Sequence, residues 1–359
     1  MGRAEWGGAA VAGLVLLLAP LVVNPSTLTI LLIYAMLALS LGLVWGFGGI
    51  LCFGQAAFYG LGAYAYAIAA VNLGESTLPL LLAILVPAGV AAVLGALMFY
   101  GRISDVYLGV ITLVVTLIFF KFLNGAAGEA YRIGSARLGG YNGIPGFQTL
   151  NVPGLPDAYL SGNALYGVVA ASLLVVWLLC RWLIGSRFGR VCIAIRENDL
   201  RAQLLGYDVR LIKTALFTVG GAIAGLAGAF YASWAEIVTP SLFSLAQSAE
   251  IIIWVIVGGV GTLLGPIFGA VLLTWLKILL GSQQLINNLV VSGAILVLVV
   301  LLLPGGVLPV LGRALGLARD RDGTVARAGG RVAGTRADDP ADGRTDGAGS
   351  KRLRRVRRG

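Results

Sequence analysis

Ten apolar segments, almost free of charge, recur between residues 9 and 303, and a chain patterned this way needs lipid or other apolar helices around it. A membrane span takes about 20 predominantly apolar residues. The candidate spans are 9–23, 27–45, 56–71, 78–100, 106–123, 165–183, 213–234, 249–257, 266–280 and 287–303. The third and the eighth are short and flanked by glycine, so either is expected to be broken or re-entrant. Only 12% of the residues are charged, about half the share of a soluble domain. The expected fold is therefore all-α: a polytopic membrane bundle of about 8–10 transmembrane helices, some short or interrupted.

Charge is confined to a few places. Residues 181–213 hold seven basic and three acidic side chains, and residues 313–358 hold 13 basic and six acidic ones. With ten crossings starting inside, Arg3, Arg102, the 181–213 loop and the tail share one side. Lys121, Arg132, Arg137 and Lys277 fall outside or near the outer ends. That asymmetry satisfies the positive-inside rule and predicts both termini in the cytoplasm. The net charge of +10 thus reads as a topology signal and an attraction to membrane lipids, not as a nucleic-acid surface.

The sequence removes several chemistries. It has no histidine, so it lacks any histidine-dependent nucleophile and the commonest transition-metal ligand. Three scattered cysteines, Cys52, Cys180 and Cys192, make neither a disulfide framework nor a zinc site. No Gly-x-x-x-x-Gly-Lys-(Ser/Thr) loop occurs, so the chain cannot hydrolyse ATP itself. No catalytic residue, metal site or cofactor is expected. Glu250, Asp105 and Lys121 read as lying close to membrane interfaces, where they can pair or snorkel.

Within the basic loop, apolar residues up to Ile195 lead into Arg196-Glu197-Asn198-Asp199. Leu200, Ala202, Leu204 and Leu205 then make an amphipathic turn that Gly206 ends. Such an element either lies in the membrane interface or docks into a partner's groove.

The wider string SRFGRVCIAIRENDLRAQLLGYDV resembles the high-affinity branched-chain amino acid permease family, in which Gly-Arg-x-x-x-Ala-Ile-Arg-(Glu/Asp) recurs; Gly189, Arg190, Ala194, Ile195, Arg196 and Glu197 match it. GILCFGQAAFYGLGAYA, GGYNGIPG, AEIIIWVIVGGVGTLLGPIFGA and LLLPGGVL resemble further family segments in the family's order. The likeness covers about residues 25–311. Of the general coupling signature of importer permeases, Glu-Ala-Ala and then Gly, only Ala202 and Gly206 fit, with Leu200 and Arg201 standing where Glu and Ala would be.

The resemblance implies a permease subunit of an ATP-driven ABC importer in a bacterial inner membrane. Its expected partners are a homologous second permease subunit, two ATP-binding ABC subunits and a periplasmic or lipid-anchored substrate-binding protein. Branched-chain amino acids are the expected cargo, with urea or short amides and a stand-alone secondary transporter as alternatives. Coupling to the ATPase is expected at Arg190, Ala194, Ile195, Arg196, Glu197, Ala202 and Gly206, on a helix around 193–206. The translocation path is expected at Gly54, Gln55, Asn142, Gly143, Glu250, Gly258 and Gly259. The domain plan is a first span (1–23), a permease domain (24–311) with external loop 124–162 and coupling loop 184–212, and a disordered basic tail (312–359).

Overall fold

The computed structural model describes residues 20, 23–101, 103, 105–147, 149–152, 155–281 and 293. The candidate spans at 9–23 and 287–303 and the basic tail lie outside these residues.

Ten α-helices fill the described part. Six are long and apolar enough to cross a membrane: α1 (Pro25–Gly48), α2 (Gln55–Leu73), α3 (Thr77–Tyr100), α4 (Asp105–Gly125), α5 (Asn163–Gly185) and α8 (Val209–Ala235). Between α5 and α8 lie the short α6 (Arg187–Glu197) and α7 (Asp199–Leu204). Two shorter apolar helices follow, α9 (Leu245–Gly258) and α10 (Leu264–Gly281). The protein is a polytopic helical membrane protein, as its apolar segments require.

Helix α1 is apolar on every face, and a helix of that kind is stable only when enclosed. It sits in the middle, touching α5, α8, α9 and α10, with Ile33 through Leu39 almost wholly buried apart from Tyr34. Its start is fixed by Pro25 in the first turn and by Asn24, whose side chain accepts the Ser26 N–H at 2.9 Å. Helix α8 packs against α1, α2 and α3. It can do so because Gly220, Gly221, Gly225 and Gly228 let its backbone approach all three. The outward sides of α3 and α4 carry Leu81, Leu85, Val93, Leu97, Val110, Val114, Ile118 and Phe122 exposed, as a lipid-facing wall would.

The sequence places the start of the helix after the basic loop at Lys213; it begins at Val209. Asp208 accepts the Arg210 and Leu211 N–H groups at 3.1 and 3.2 Å, so the charged residues 210 and 213 belong to its first turns. The eighth candidate span is short, as expected. Helix α9 has 14 residues, about 21 Å of rise against ~30 Å of hydrocarbon. The chain enters it through a 3₁₀ turn, Pro240–Phe243, that descends into the bundle, with the Phe243 ring packed on Gly60, Tyr64 and Phe119.

The end of the bundle away from the basic loop is covered by residues 126–162. Five short strands appear there: β1 (Arg132–Ile133), β2 (Ala136–Arg137), β3 (Ile144–Pro145), β4 (Asn151–Val152) and β5 (Leu155–Tyr159). β1 pairs with β2 and β4 with β5, while β3 pairs antiparallel with β6 (Ile237–Val238), just beyond α8. Asn72 at the end of α2 holds the β1–β2 hairpin, donating to the Ile133 carbonyl at 3.0 Å and accepting the Ser135 N–H at 2.8 Å.

Candidate functional site

The basic loop is two helices, not one. Ser186 caps α6 by accepting the Gly189 N–H at 3.4 Å. Asn198 is extended (φ −163°, ψ 104°) and caps α7 by accepting the Arg201 N–H at 2.9 Å. The extended backbone at Asn198 splits the helix that the sequence suggests over 193–206. Helix α7 closes with a Schellman turn: Gly206 N–H donates to the Gln203 carbonyl at 2.9 Å and Tyr207 N–H to the Ala202 carbonyl at 3.3 Å, with Gly206 at φ +87°.

Ile195, Ala202 and Val209 form a small buried cluster with Val191 and Ile212 against it, which welds α6, α7 and the start of α8 together. Lys213 Nζ bonds Asp199 Oδ2 at 2.6 Å and closes the same unit. Arg190 donates to the Gly185 carbonyl at 3.1 Å, at the last residue of α5. Arg196 joins α6 to the end of α1. Its Nη1 donates to the Gly46 carbonyl at 2.5 Å and its Nη2 to Glu197 Oε1 at 2.8 Å. Gly261, in the turn between α9 and α10, lies beside the same guanidinium, and a Cβ at Gly46 would stand 2.9 Å from the Gly261 nitrogen. The end of α1, the α9–α10 turn and α6 thus meet at one point.

Of the seven coupling candidates, Ile195 and Ala202 are buried, Arg190 and Arg196 tie helices together, Gly206 makes the turn, and Ala194 and Glu197 are exposed. Three leucines of the amphipathic turn read from the sequence stand outside those seven. Leu200, Leu204 and Leu205 are 65%, 80% and 75% exposed. Only Ala202 of that amphipathic turn faces inward, so the leucines form an outward apolar knob ringed by charge. The i, i+4 spacing of Leu200 and Leu204 is what places both on that outward side. Cys192 is buried in α6, and burial pushes its thiol up to about 12. Its thiolate is a negligible fraction at pH 8, so a maleimide should leave Cys192 unlabelled in the folded protein and label it after denaturation, as intact mass will show.

The path candidates do not gather in one place. Gln55, at the start of α2, is 2% exposed and donates to Ser40 Oγ at 2.7 Å and the Gly220 carbonyl at 3.2 Å, between α1 and α8. Gly54 packs on the Thr112 backbone of α4. Asn142 is exposed and Gly143 buried against Val238, both at the covered end. Gly258 and Gly259 are buried at the end of α9, where Gly258 packs on the Gly265 backbone. Glu250, read from sequence as lying at the edge of a span, lies five residues inside α9 and pairs with Lys277 of α10 at 2.6 Å. Among the described residues, no group of three or more His, Cys, Asp or Glu side chains could hold a metal ion.

The family described as the branched-chain amino acid transport system permease component matches residues 24–300. The high-affinity branched-chain amino acid transport system permease protein LivM of Escherichia coli K12 is 30% identical over 325 residues, covering 83% of this chain and 74% of that protein. Its counterpart in Salmonella typhimurium LT2 is 31% identical over 309 residues, covering 78% and 69%. The high-affinity branched-chain amino acid transport system permease protein LivH of Escherichia coli K12 is 31% identical over 125 residues, covering 34% and 40%. No solved structure matches. A family match over most of the chain, joined to a bundle of long apolar helices, leads to one conclusion: this chain belongs to the branched-chain amino acid transport permeases and is a multi-pass membrane subunit of that family.

Proposed function

We propose that this chain forms one half of the membrane pathway of an ATP-driven ABC importer for branched-chain amino acids. A homologous second permease subunit supplies the other half, two separate ATPase subunits drive the importer, one of them docking on α6 and α7 of this chain, and a substrate-binding protein delivers cargo at the opposite end. The positive-inside rule supports placing the basic end in the cytoplasm of a bacterial inner membrane. Partial identity to LivH as well as fuller identity to LivM supports a pair of related permeases.

The observation that carries this reading is the construction of the α6–α7 unit. It presents Leu200, Leu204 and Leu205 outward while Arg196 ties its other side to α1 and the α9–α10 turn. An exposed apolar knob on a polar loop is a docking feature, and a rigid attachment behind it is what force transmission needs. Burying one leucine on docking contributes about 1.5–3 kcal/mol, and each 1.4 kcal/mol is tenfold in affinity. Leu204→Asp, on a side chain that is 80% exposed, should therefore lower ATPase co-purification more than ~10-fold without changing the yield of the permease. ATPase subunits that co-purify with this variant as with the wild type would refute the docking surface.

A further inference from the structure

We propose that Glu250 and Lys277 form the site where the transported amino acid is recognised as a zwitterion, its ammonium facing Glu250 and its carboxylate facing Lys277. This rests on the transport reading above. Position makes the first argument. Gly258 packs on Gly265 and Gly269 on the Trp254 carbonyl, so α9 and α10 run antiparallel with Glu250 opposite residues near 273. Glu250 lies eight residues before Gly258, about 12 Å into the membrane from the junction held by Arg196. A hydrocarbon layer ~30 Å thick whose cytoplasmic edge lies at that junction would hold the ion pair deep within it.

Exposure makes the second. The Lys277 and Glu250 side chains are 41% and 21% exposed. Charged groups at that depth face the bundle interior or a water-filled cavity rather than lipid. On α9 the preceding turn, Leu245 and Ala246, is exposed next to the break at Ser244 between the 3₁₀ turn and α9, and a backbone break at membrane depth is tolerated only inside protein or along an aqueous cavity.

Hydrogen bonding makes the third. Hydroxyls on these helices normally bond back to a carbonyl one turn earlier: Thr29, Thr116, Thr214, Thr218 and Ser233 all do so at 2.8 to 3.1 Å. Ser248 Oγ and Thr274 Oγ1 do not. They are 2% and 5% exposed and have no partner, and the buried Gln247 Nε2 beside them has none either. Two of these unused groups lie one turn from the ion pair and on its side of each helix, Gln247 three residues before Glu250 and Thr274 three before Lys277. A zwitterion that exchanges partners with the pair keeps every charge matched and the total charge at zero, which avoids burying a lone ion. A neutral amide or urea would gain nothing from the two charges.

The test uses the assembled transporter with its ATPases and binding protein in proteoliposomes and labelled leucine as probe. Lys277→Gln and Glu250→Gln should each raise the KM for leucine at least ~10-fold. The exchange variant E250K/K277E keeps an ion pair and should not restore uptake, because the carboxylate and ammonium sites are inverted. In the wild-type background, Ala246→Cys should react with a small water-soluble thiol reagent, and leucine should slow that reaction at least ~3-fold while 4-methylpentanoate and isopentylamine do not; the native cysteines, all buried, leave the new thiol as the reporter. Uptake restored to the wild-type level by the exchange, unchanged KM in the single variants, or an unreactive thiol in the Ala246→Cys variant would overturn the site. A wild-type complex that imports no leucine would instead overturn the transport reading itself.

Discussion

Replacing Gly62 by valine should leave almost no folded permease. Gly62 of α2 sits directly on Gly225 of α8, and a Cβ there would stand 2.7 Å from the Gly225 carbonyl carbon and closer still to its oxygen. Overpacking costs about 1–3 kcal/mol when side chains can move aside. Here the obstacle is backbone, which has no rotamer to change, so the cost exceeds that range. Nor can α8 retreat, because the opposite side of Gly225 lies 2.6 Å, by the same measure, from the Pro87 ring of α3. A native stability of ~5–15 kcal/mol leaves little to absorb such a change. The expected readout is aggregation on size-exclusion chromatography in detergent and loss of the thermal transition. Gly89→Ala is the control: nothing lies within 4 Å of its Cβ, and alanine should match the wild type or gain about 0.5–1 kcal/mol of helix propensity. A Gly62→Val protein that runs monodisperse at the wild-type midpoint would disprove the close crossing.

Reversing charge at Arg196 and Glu197 together should break the link between ATP hydrolysis and uptake while leaving insertion intact. The Gly46 carbonyl receives its hydrogen bond from Arg196 Nη1 across 150 residues of sequence. A hydrogen bond involving a charged group contributes about 1.5–3 kcal/mol. Without it α6 and α7 still dock, since Leu200, Leu204 and Leu205 are untouched, but their movement is no longer passed to α1 and the α9–α10 turn. Transport per ATP hydrolysed should fall roughly 10-fold or more, the factor that 1.4 kcal/mol represents. Arg196→Lys should recover only part of the coupling, because an ammonium cannot serve Gly46 and Glu197 with one planar fork. A normal ratio of uptake to hydrolysis in the double reversal would show that force travels elsewhere.

Local signals in the sequence are informative here because membrane helices depend on apolar length. The ends of α2, α3 and α4 fall within about two residues of the candidate spans, and the glycine-flanked eighth span is short for the reason that its flanks suggest. Resemblance along most of the chain leads to the family. Contacts between distant residues leave no local trace. Lys277 lies 27 residues from Glu250, and nothing in either segment announces the pair. Gln55 is a polar residue in a motif, which suggests a path, yet its depth between Ser40 and Gly220 depends on how α1 and α8 cross. Asn198 reads as part of a charged run; its role as a cap depends on a backbone turn that composition does not reveal.

The pairing of β3 with β6 sets an order on biosynthesis. Ile144 and its partner Val238 are separated by α5, the basic loop and α8. At ~5–20 residues per second the ribosome needs roughly 5–20 s to travel that distance. During that interval residues 126–162 have left the insertion machinery without the strand that fastens Ile144–Pro145. The lid over the far end is therefore one of the later features to form, and it closes only once α8 has taken its place against α1, α2 and α3. A nascent chain arrested between residues 160 and 230 should accordingly be open to protease at that lid, where the finished protein is not.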